Sequence, residues 1–210
     1  MSREHFDERA ATWDDDPVTV RRAREVAEAV ASAVPLGAGT RVLEYGAGTG
    51  LVSRTLADRV GPLTLADSSS GMRQVLGDRI GAGVLPAGSR VWDLDLESDP
   101  APEGEEFDLI ISSMVLHHVR DLDVVLGRLV GLLADGGRLA VADLDAEDGS
   151  FHAHHAHFEG HHGFDRDELR EALERAGATG VSFTEAAVIE KEGTAYPVFL
   201  AVATTGGGDD

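Results

Sequence analysis

The fold of this chain is decided by one stretch, Val42-Leu43-Glu44-Tyr45-Gly46-Ala47-Gly48-Thr49-Gly50. It begins as a short apolar run with an acid near its end, continues with three glycines at alternate positions, and leads into the apolar pair Leu51-Val52. Glycine costs backbone entropy, so three of them close together indicate that something must approach the main chain. A strand, a glycine turn and a helix N-terminus in succession predict a nucleotide-type cradle.

The spacing of these glycines separates two kinds of ligand. A dinucleotide site has the pattern G-x-G-x-x-G, whose third glycine lets the helix pack closely on the strand. Here that position is Leu51, and the pattern from Gly46 is G-x-G-x-G instead. Glu44 adds a carboxylate at the mouth, which would repel a pyrophosphate and favour a cation. Both features favour a phosphate-free nucleoside with a positive charge, and S-adenosylmethionine meets that description.

The composition narrows the class of partner. The chain has 210 residues, 38 acids against 18 bases and a formal net charge of -20. Such a surface repels phosphate backbones, so we expect no nucleic acid and no anionic membrane as partners. The absence of cysteine removes disulfides, thiolate metal sites and any cysteine nucleophile. Without a signal-like N-terminus or an 18-residue apolar run, a cytoplasmic protein is the expectation.

Apolar segments with strand-like spacing alternate along the chain with apolar segments that have helix-like spacing. We predict strands over 41–45, 63–67, 89–93, 107–112, 138–143, 181–188 and 196–203. Between them we predict helices over 17–35, 50–58, 71–80, 122–134 and 165–176. This alternation predicts an α/β fold with a doubly wound, mostly parallel sheet and an antiparallel end.

The predicted elements make one domain over residues 1–205. Residues 1–35 form an N-terminal helical cap, and residues 144–164 form a histidine-rich segment on the substrate side. Residues 206–210 are expected to be a disordered tail. Phe6 and Trp13 in the cap would fold over the ligand as a lid, or else pack on the helix that follows.

Four pieces in this order resemble the class I S-adenosylmethionine-dependent methyltransferases of the small-molecule type. They are the glycine turn after Glu44, the acid Asp67 ending the second strand, the acid Asp93 ending the third, and the run 107–113 with the glycine turn Asp135-Gly136-Gly137. The likeness covers nearly the whole chain. It implies a Rossmann-like sheet of seven strands with an antiparallel final strand and helices on both faces, and S-adenosyl-L-methionine as the cofactor.

The resemblance also implies which residues hold the cofactor. Glu44 would hold the methionine end, Asp67 would accept both ribose hydroxyls, Met72 would pack on the adenine and Asp93 would receive its amino group. A carboxylate accepts two such hydrogen bonds at once. The full predicted set is Glu44, Gly46, Ala47, Gly48, Gly50, Asp67, Ser68, Met72, Asp93, Leu94 and Ser112.

The segment after the fourth strand, which faces the methyl group in this family, indicates the kind of acceptor. DNA amino-methyltransferases resemble one another in an Asn/Asp-Pro-Pro-aromatic run there, whereas this chain has Ser113-Met114-Val115-Leu116. Methylation of cytosine C5 needs a cysteine, which the chain lacks. We therefore expect a small-molecule acceptor that is methylated on oxygen, nitrogen or carbon.

Histidines are the candidate catalytic residues, because imidazole titrates near physiological pH and suits a general base. His117 and His118 follow the fourth strand, and His152 is the first histidine of the segment 149–164. One of the first pair packing within the fold stays an alternative. The segment also contains His154, His155, His157, His161 and His162. A metal on this cluster was considered, but no helical i, i+4 pair stands out, so we predict no metal.

Two other functions remain open from the sequence. One is a nicotinamide-dependent Rossmann oxidoreductase, against which Leu51 and Glu44 argue. The other is a non-catalytic module that binds S-adenosylmethionine. The oligomeric state and the identity of the acceptor are not predicted.

Overall fold

The computed structural model describes residues 3–153 and 158–206. The histidines His154, His155 and His157 and all of the predicted tail beyond Gly206 lie outside these residues. The strands are β1 (Val42–Tyr45), β2 (Leu63–Asp67), β3 (Arg90–Asp93), β4 (Phe107–Ser113), β5 (Leu133–Leu144), β6 (Ala178–Lys191) and β7 (Thr194–Thr205). The helices are α1 (Arg3–Arg9), α2 (Pro17–Ala33), α3 (Leu51–Leu56), α4 (Ser70–Gly81), α5 (Leu122–Gly131) and α6 (Arg166–Arg175). Short 3₁₀ helices cover Ala10–Asp15, Leu116–His118 and Ser150–His152.

All seven strands form one sheet in the order β3-β2-β1-β4-β5-β7-β6. The pairs from β3 to β5 are parallel, and β7 runs antiparallel to both of its neighbours. The predicted Rossmann-like sheet with an antiparallel final strand is confirmed. The order reverses between β1 and β4, and ligands of open α/β sheets bind beside such a switch point at the carboxyl ends of the strands.

Alternate residues of the central strands supply two separate cores, because successive side chains of a strand point to opposite faces. Leu43 and Ile110 belong to the core that α5 and α6 cover, and Val42 and Ile111 belong to the core that α2 and α3 cover. Strands buried on both faces explain why β1 and β4 are almost continuously apolar. Glu44, next to Leu43 in the chain, therefore points to the α3 side.

The predicted boundaries differ most from the structure just before the fifth strand. The helix before the fifth strand was expected to continue to residue 134 and the strand to begin at 138, but α5 ends at Gly131 and β5 begins at Leu133. Leu133 already pairs with Phe107, and the register shifts before Arg138 pairs with Leu109. The extra residues of β5 at this register shift contain the glycine turn. Because such a turn after a helical pattern is typical of a helix end, the sequence predicts the helix to end there.

Within the described ranges, no helix is both long enough and apolar enough to cross a membrane.

Candidate active site

A cavity of about 380 Å³ opens at the carboxyl ends of β1, β2 and β4, beside the switch point of the sheet. This volume falls in the range of small-molecule sites in proteins. The glycine turn, the end of β2, the loop after β3 and the turn after β4 form its walls, and α2 and the N-terminal segment complete it. Its lining includes Glu44, Gly46, Ala47, Gly48, Asp67, Ser68, Met72, Leu94, Asp95, Ser113, Met114 and His118.

The three glycines of the turn have different roles, although all have positive φ. A Cβ on Gly46 would lie 2.3 Å from Val115 Cγ2, and one on Gly50 would lie 2.8 Å from Leu76 Cδ2. A Cβ on Gly48 would meet nothing within 4 Å. Gly46 and Gly50 therefore allow close packing inside the protein, while Gly48 leaves open space at the cavity. Gly50 is not part of the cavity wall.

Glu44 is a buried carboxyl group at the bottom of the cavity, with 3% of its surface exposed. It accepts hydrogen bonds from Ser53 N, at 3.2 Å, and from Ser53 Oγ, both at the start of α3. Burial raises the pKa of Glu44 to about 7, against the opposing effect of the two bonds from Ser53. A carboxyl group that is only partly ionised near neutrality is ready to be ionised fully by a cation placed beside it.

This raised pKa makes the stability of the protein depend on pH. The unfolded chain ionises Glu44 near pH 4.5, the folded chain near pH 7. Between these pH values the folded state binds more protons than the unfolded state. Rising pH therefore lowers the free energy of unfolding, by about 3 kcal/mol over the interval. We expect Glu44→Gln to reduce this decline in urea unfolding from pH 4.5 to 8. If the free energy of unfolding of the variant declined equally, the pH dependence would not come from Glu44.

Asp67 ends β2 and faces the same cavity. Its Oδ2 accepts a hydrogen bond from Gly48 N at 2.7 Å, and its Oδ1 accepts one from Ser69 N at 2.8 Å. Burial raises the pKa of Asp67, and these two N–H groups oppose the rise. Each carboxylate oxygen retains a further acceptor site. The side chain therefore fixes the glycine turn and still offers two oxygens to a ligand.

The acid predicted for the loop after β3 needs a correction. Asp93 is exposed, forms an ion pair with Arg73 at 2.9 Å and does not line the cavity. Asp95, two residues later, lines it beside Leu94. The N–H of Leu96 donates to Tyr45 Oη at 3.1 Å, which anchors this loop to β1. The strand ends at Asp93, and Asp95, two residues further on and just before the turn at 96–98, reaches the cavity instead.

Arg22 is a lining residue that the sequence analysis missed. It lies on α2, where burial lowers the pKa of its guanidinium and Asp16 and Asp143 oppose the effect. A cation in the cavity wall provides a site for an anionic group. Helical spacing distinguishes it from Arg21 and Arg24, because Arg22 lies three residues after Thr19 and four before Val26 on the buried face of α2, whereas the other two are exposed.

The N-terminal segment, residues 3–15, closes one side of the cavity with Phe6 and Trp13. Polar contacts attach it at both ends, to the glycine turn and to α4 with its N-cap Ser69. Asp7 accepts hydrogen bonds from Ser69 Oγ at 2.6 Å and from Gly71 N at 2.9 Å, and these bonds lower its pKa. Asp14 accepts a bond from Thr49 Oγ1 at 2.6 Å and forms an ion pair with Arg79.

The predicted catalytic histidines do not all reach the cavity. His118 lines it, whereas His117 and His152 are buried directly behind, with 2% and 3% of their surface exposed. Ser112 is also buried and outside the lining, because β4 turns its side chain inward and Ser113 and Met114 form the wall instead. Met114 has a φ of 58°. Such a conformation is rare for a side chain of this size and occurs most often at functional sites.

Two kinds of comparison show which known proteins this chain resembles. The methyltransferase domain family matches residues 19–182. A bifunctional biotin-biosynthesis protein of Bordetella avium is 36% identical over 144 residues, 68% of this chain and 30% of that protein. The chain thus spans less than a third of this relative.

Two solved structures share the fold over nearly the full length. One is a putative methyltransferase of Haloferax volcanii in complex with the activator Trm112 (TM-score 0.75, 20% identity, 96% of this chain and 97% of that one). The other is the N-methyltransferase NodS of Bradyrhizobium japonicum with S-adenosyl-L-homocysteine (TM-score 0.72, 19% identity, 96% and 97%). The match over residues 19–182 shows that the chain belongs to the methyltransferase domain family of class I, S-adenosylmethionine-dependent enzymes.

Proposed function

We propose that this protein transfers a methyl group from S-adenosylmethionine to an oxygen, nitrogen or carbon atom of a small-molecule acceptor. The observation that carries the proposal is the convergence of Glu44, Asp67 and the open space at Gly48 in one cavity. Glu44 provides an acid for the positively charged methionine part, and Asp67 provides an acid for the two ribose hydroxyls. The open backbone at Gly48 leaves room for the cofactor beside the main chain.

The chemical character of the lining residues changes from one end of the cavity to the other. At one end, Glu44 would hold the ammonium group of the methionine part, and the guanidinium of Arg22 would hold its carboxylate. In the middle, Asp67 would accept the ribose hydroxyls. At the other end, Leu94 and Met72 would cover the adenine, and Asp95 would accept from its amino group. Bound there, the cofactor supplies an electrophilic methyl group on a sulfonium.

The acceptor side is the wall formed by 113–119, the turn after β4. Here the protein contributes mainly by holding the acceptor in line with the methyl group and by excluding water. His118 is the lining residue best placed to take a proton from an acceptor that carries one. The net charge of -20 supports a free small molecule rather than a nucleic acid or a membrane-bound acceptor. A cytoplasmic location stays a prediction.

Two measurements test this function against the alternatives. In calorimetry with S-adenosylmethionine, S-adenosylhomocysteine and NADH, we expect binding of the first two only. Preferential binding of NADH would support an oxidoreductase and contradict the proposal. Incubation with a panel of phenols, amines and carboxylic acids should then release S-adenosylhomocysteine. Cofactor binding without release for any acceptor class would favour a non-catalytic module.

A further inference from the structure

Three histidines that lie far apart in the sequence meet next to the acceptor wall. His117 and His118 are in the 3₁₀ helix after β4, and His152 is in the 3₁₀ helix after β5. One ring nitrogen of each lies within 4.8 Å of the others. The ring centroids of His117 are 4.0 Å from His118 and 5.2 Å from His152. Parallel neighbours β4 and β5 cause this meeting, because their carboxyl ends lie side by side.

Asp143, near the end of β5, determines the protonation pattern of His117. Its Oδ1 lies 2.6 Å from His117 Nδ1 and also accepts a hydrogen bond from Leu144 N at 2.8 Å. The second oxygen accepts one from His117 N at 3.3 Å. A carboxylate surrounded by donors requires Nδ1 to carry its proton, which leaves the lone pair of His117 on Nε2. Carboxylates orient metal-ligating histidines in the same way.

The segment 158–164 covers the cluster from outside. The ring of Phe158 stacks on His152 with centroids 3.8 Å apart and planes 6° apart. His161 N donates to the carbonyl of His117 at 2.7 Å, so the segment is attached to the same turn. A Cβ on Gly160 would lie 2.0 Å from that carbonyl, which explains why a glycine stands there. His118 is the member that opens into the cavity.

We propose that His117, His118 and His152 bind one divalent transition-metal ion of the Zn²⁺ type. Imidazole nitrogen is a preferred ligand of such ions, and three protein ligands leave one coordination position open. Tetrahedral coordination at about 2.05 Å requires nitrogens about 3.3 Å apart, so the rings need to approach by up to about 1.5 Å from their present separation within 4.8 Å. The prediction of no metal rests on the sequence, in which 33 residues separate His118 from His152 and hide their proximity.

Because His118 is the ligand that lines the cavity, the open coordination position would face the acceptor wall. An oxygen or nitrogen atom of the acceptor would occupy this position. This role of the metal rests on the proposed function, and with the ion bound His118 is a ligand and no longer takes the proton of the acceptor. The binding of the ion does not, since it depends only on the three imidazoles and on Asp143.

Cobalt titration tests the site directly. The full-length protein, treated with a chelator and dialysed, is titrated with Co²⁺ while the visible absorption is recorded, and bound metal is measured by mass spectrometry after gel filtration. We expect one ion per chain and the intense visible bands of tetrahedral Co²⁺. Zn²⁺ should displace it and abolish the bands.

Variants assign the ligands. His118→Ala and His152→Ala should each weaken Co²⁺ binding by more than about 100-fold, beyond the 10–100-fold cost of losing an outer partner. His162→Ala is the matched control, because His162 belongs, like His152, to the histidine-rich segment 144–164 and is half exposed beside Glu147. It should leave Co²⁺ binding unchanged. Calorimetry with S-adenosylhomocysteine on each variant reports an intact fold and cofactor site.

Three results would overturn the proposal. They are a wild-type protein that retains no stoichiometric metal, unchanged Co²⁺ binding in both ligand variants, and an equal loss in His162→Ala. Each of them leaves the binding of S-adenosylhomocysteine unaffected, so the failure of the metal site is distinguishable from the failure of the proposed function.

Discussion

Asp67→Ala is expected to lower the affinity for S-adenosylhomocysteine by at least about 100-fold, or about 2.7 kcal/mol. The carboxylate would lose two hydrogen bonds to the ribose, and bonds to a charged group contribute about 1.5–3 kcal/mol each. The N–H groups of Gly48 and Ser69 would also lose their acceptor, so the glycine turn would no longer be fixed. Isothermal titration calorimetry measures the effect.

The neighbouring strand supplies a matched control. Asp93 pairs in register with Asp67, but its side chain is exposed and bound to Arg73. We expect Asp93→Ala to bind the ligand as the wild type does and Asp95→Ala to bind about tenfold more weakly. If Asp93→Ala were as impaired as Asp67→Ala, the correction from Asp93 to Asp95 would be wrong.

Gly46→Ala is expected to lower the melting temperature by about 10 °C. The added methyl group would lie 2.3 Å from Val115 Cγ2, and the backbone has a φ of 69°. Overpacking and left-handed strain together cost about 3 kcal/mol, and for a chain of this length each kcal/mol lowers the melting temperature by about 2–4 °C. Differential scanning calorimetry without ligand measures the loss.

Gly48→Ala should show the opposite pattern. The φ of 56° costs about 1 kcal/mol for a non-glycine residue, so the melting temperature falls by only about 3 °C. Its methyl group would meet no atom beyond its chain neighbours within 4 Å, and Gly48 lines the cavity, so we expect the methyl group to compete with the ligand for space. We expect affinity for S-adenosylhomocysteine to fall more than tenfold. Tight binding by Gly48→Ala would contradict the position of the cofactor.

The sequence was sufficient where one local pattern determines one structural feature. Glu44 and Asp67 lie at or next to the carboxyl ends of buried strands, and these ends of parallel strands meet at one edge of a sheet. The sequence was insufficient where the path of a loop decides. Asp93 and Asp95 are two acids of the same type, and only the course of the chain after β3 selects Asp95 for the cavity.

The histidines illustrate the same limit over a longer range. The pattern predicted His117, His118 and His152 as residues of the active site, whereas the structure places His118 in the cavity wall and His117 and His152 buried behind it. Their burial depends on the return of residues 158–164 to the turn after β4. No local periodicity encodes such a contact between segments more than 40 residues apart.

The contacts of the N-terminal segment have a kinetic consequence. Because Asp7 and Asp14 attach this segment beside the cavity, we expect the attachments to break before S-adenosylhomocysteine leaves. The lifetime of the closed state then limits turnover whenever methyl transfer is faster than opening. Asp7→Ala should release S-adenosylhomocysteine faster in stopped-flow experiments, and it should also bind it faster, because the same segment closes the ligand-free cavity. An unchanged release rate would mean that the ligand leaves by another route.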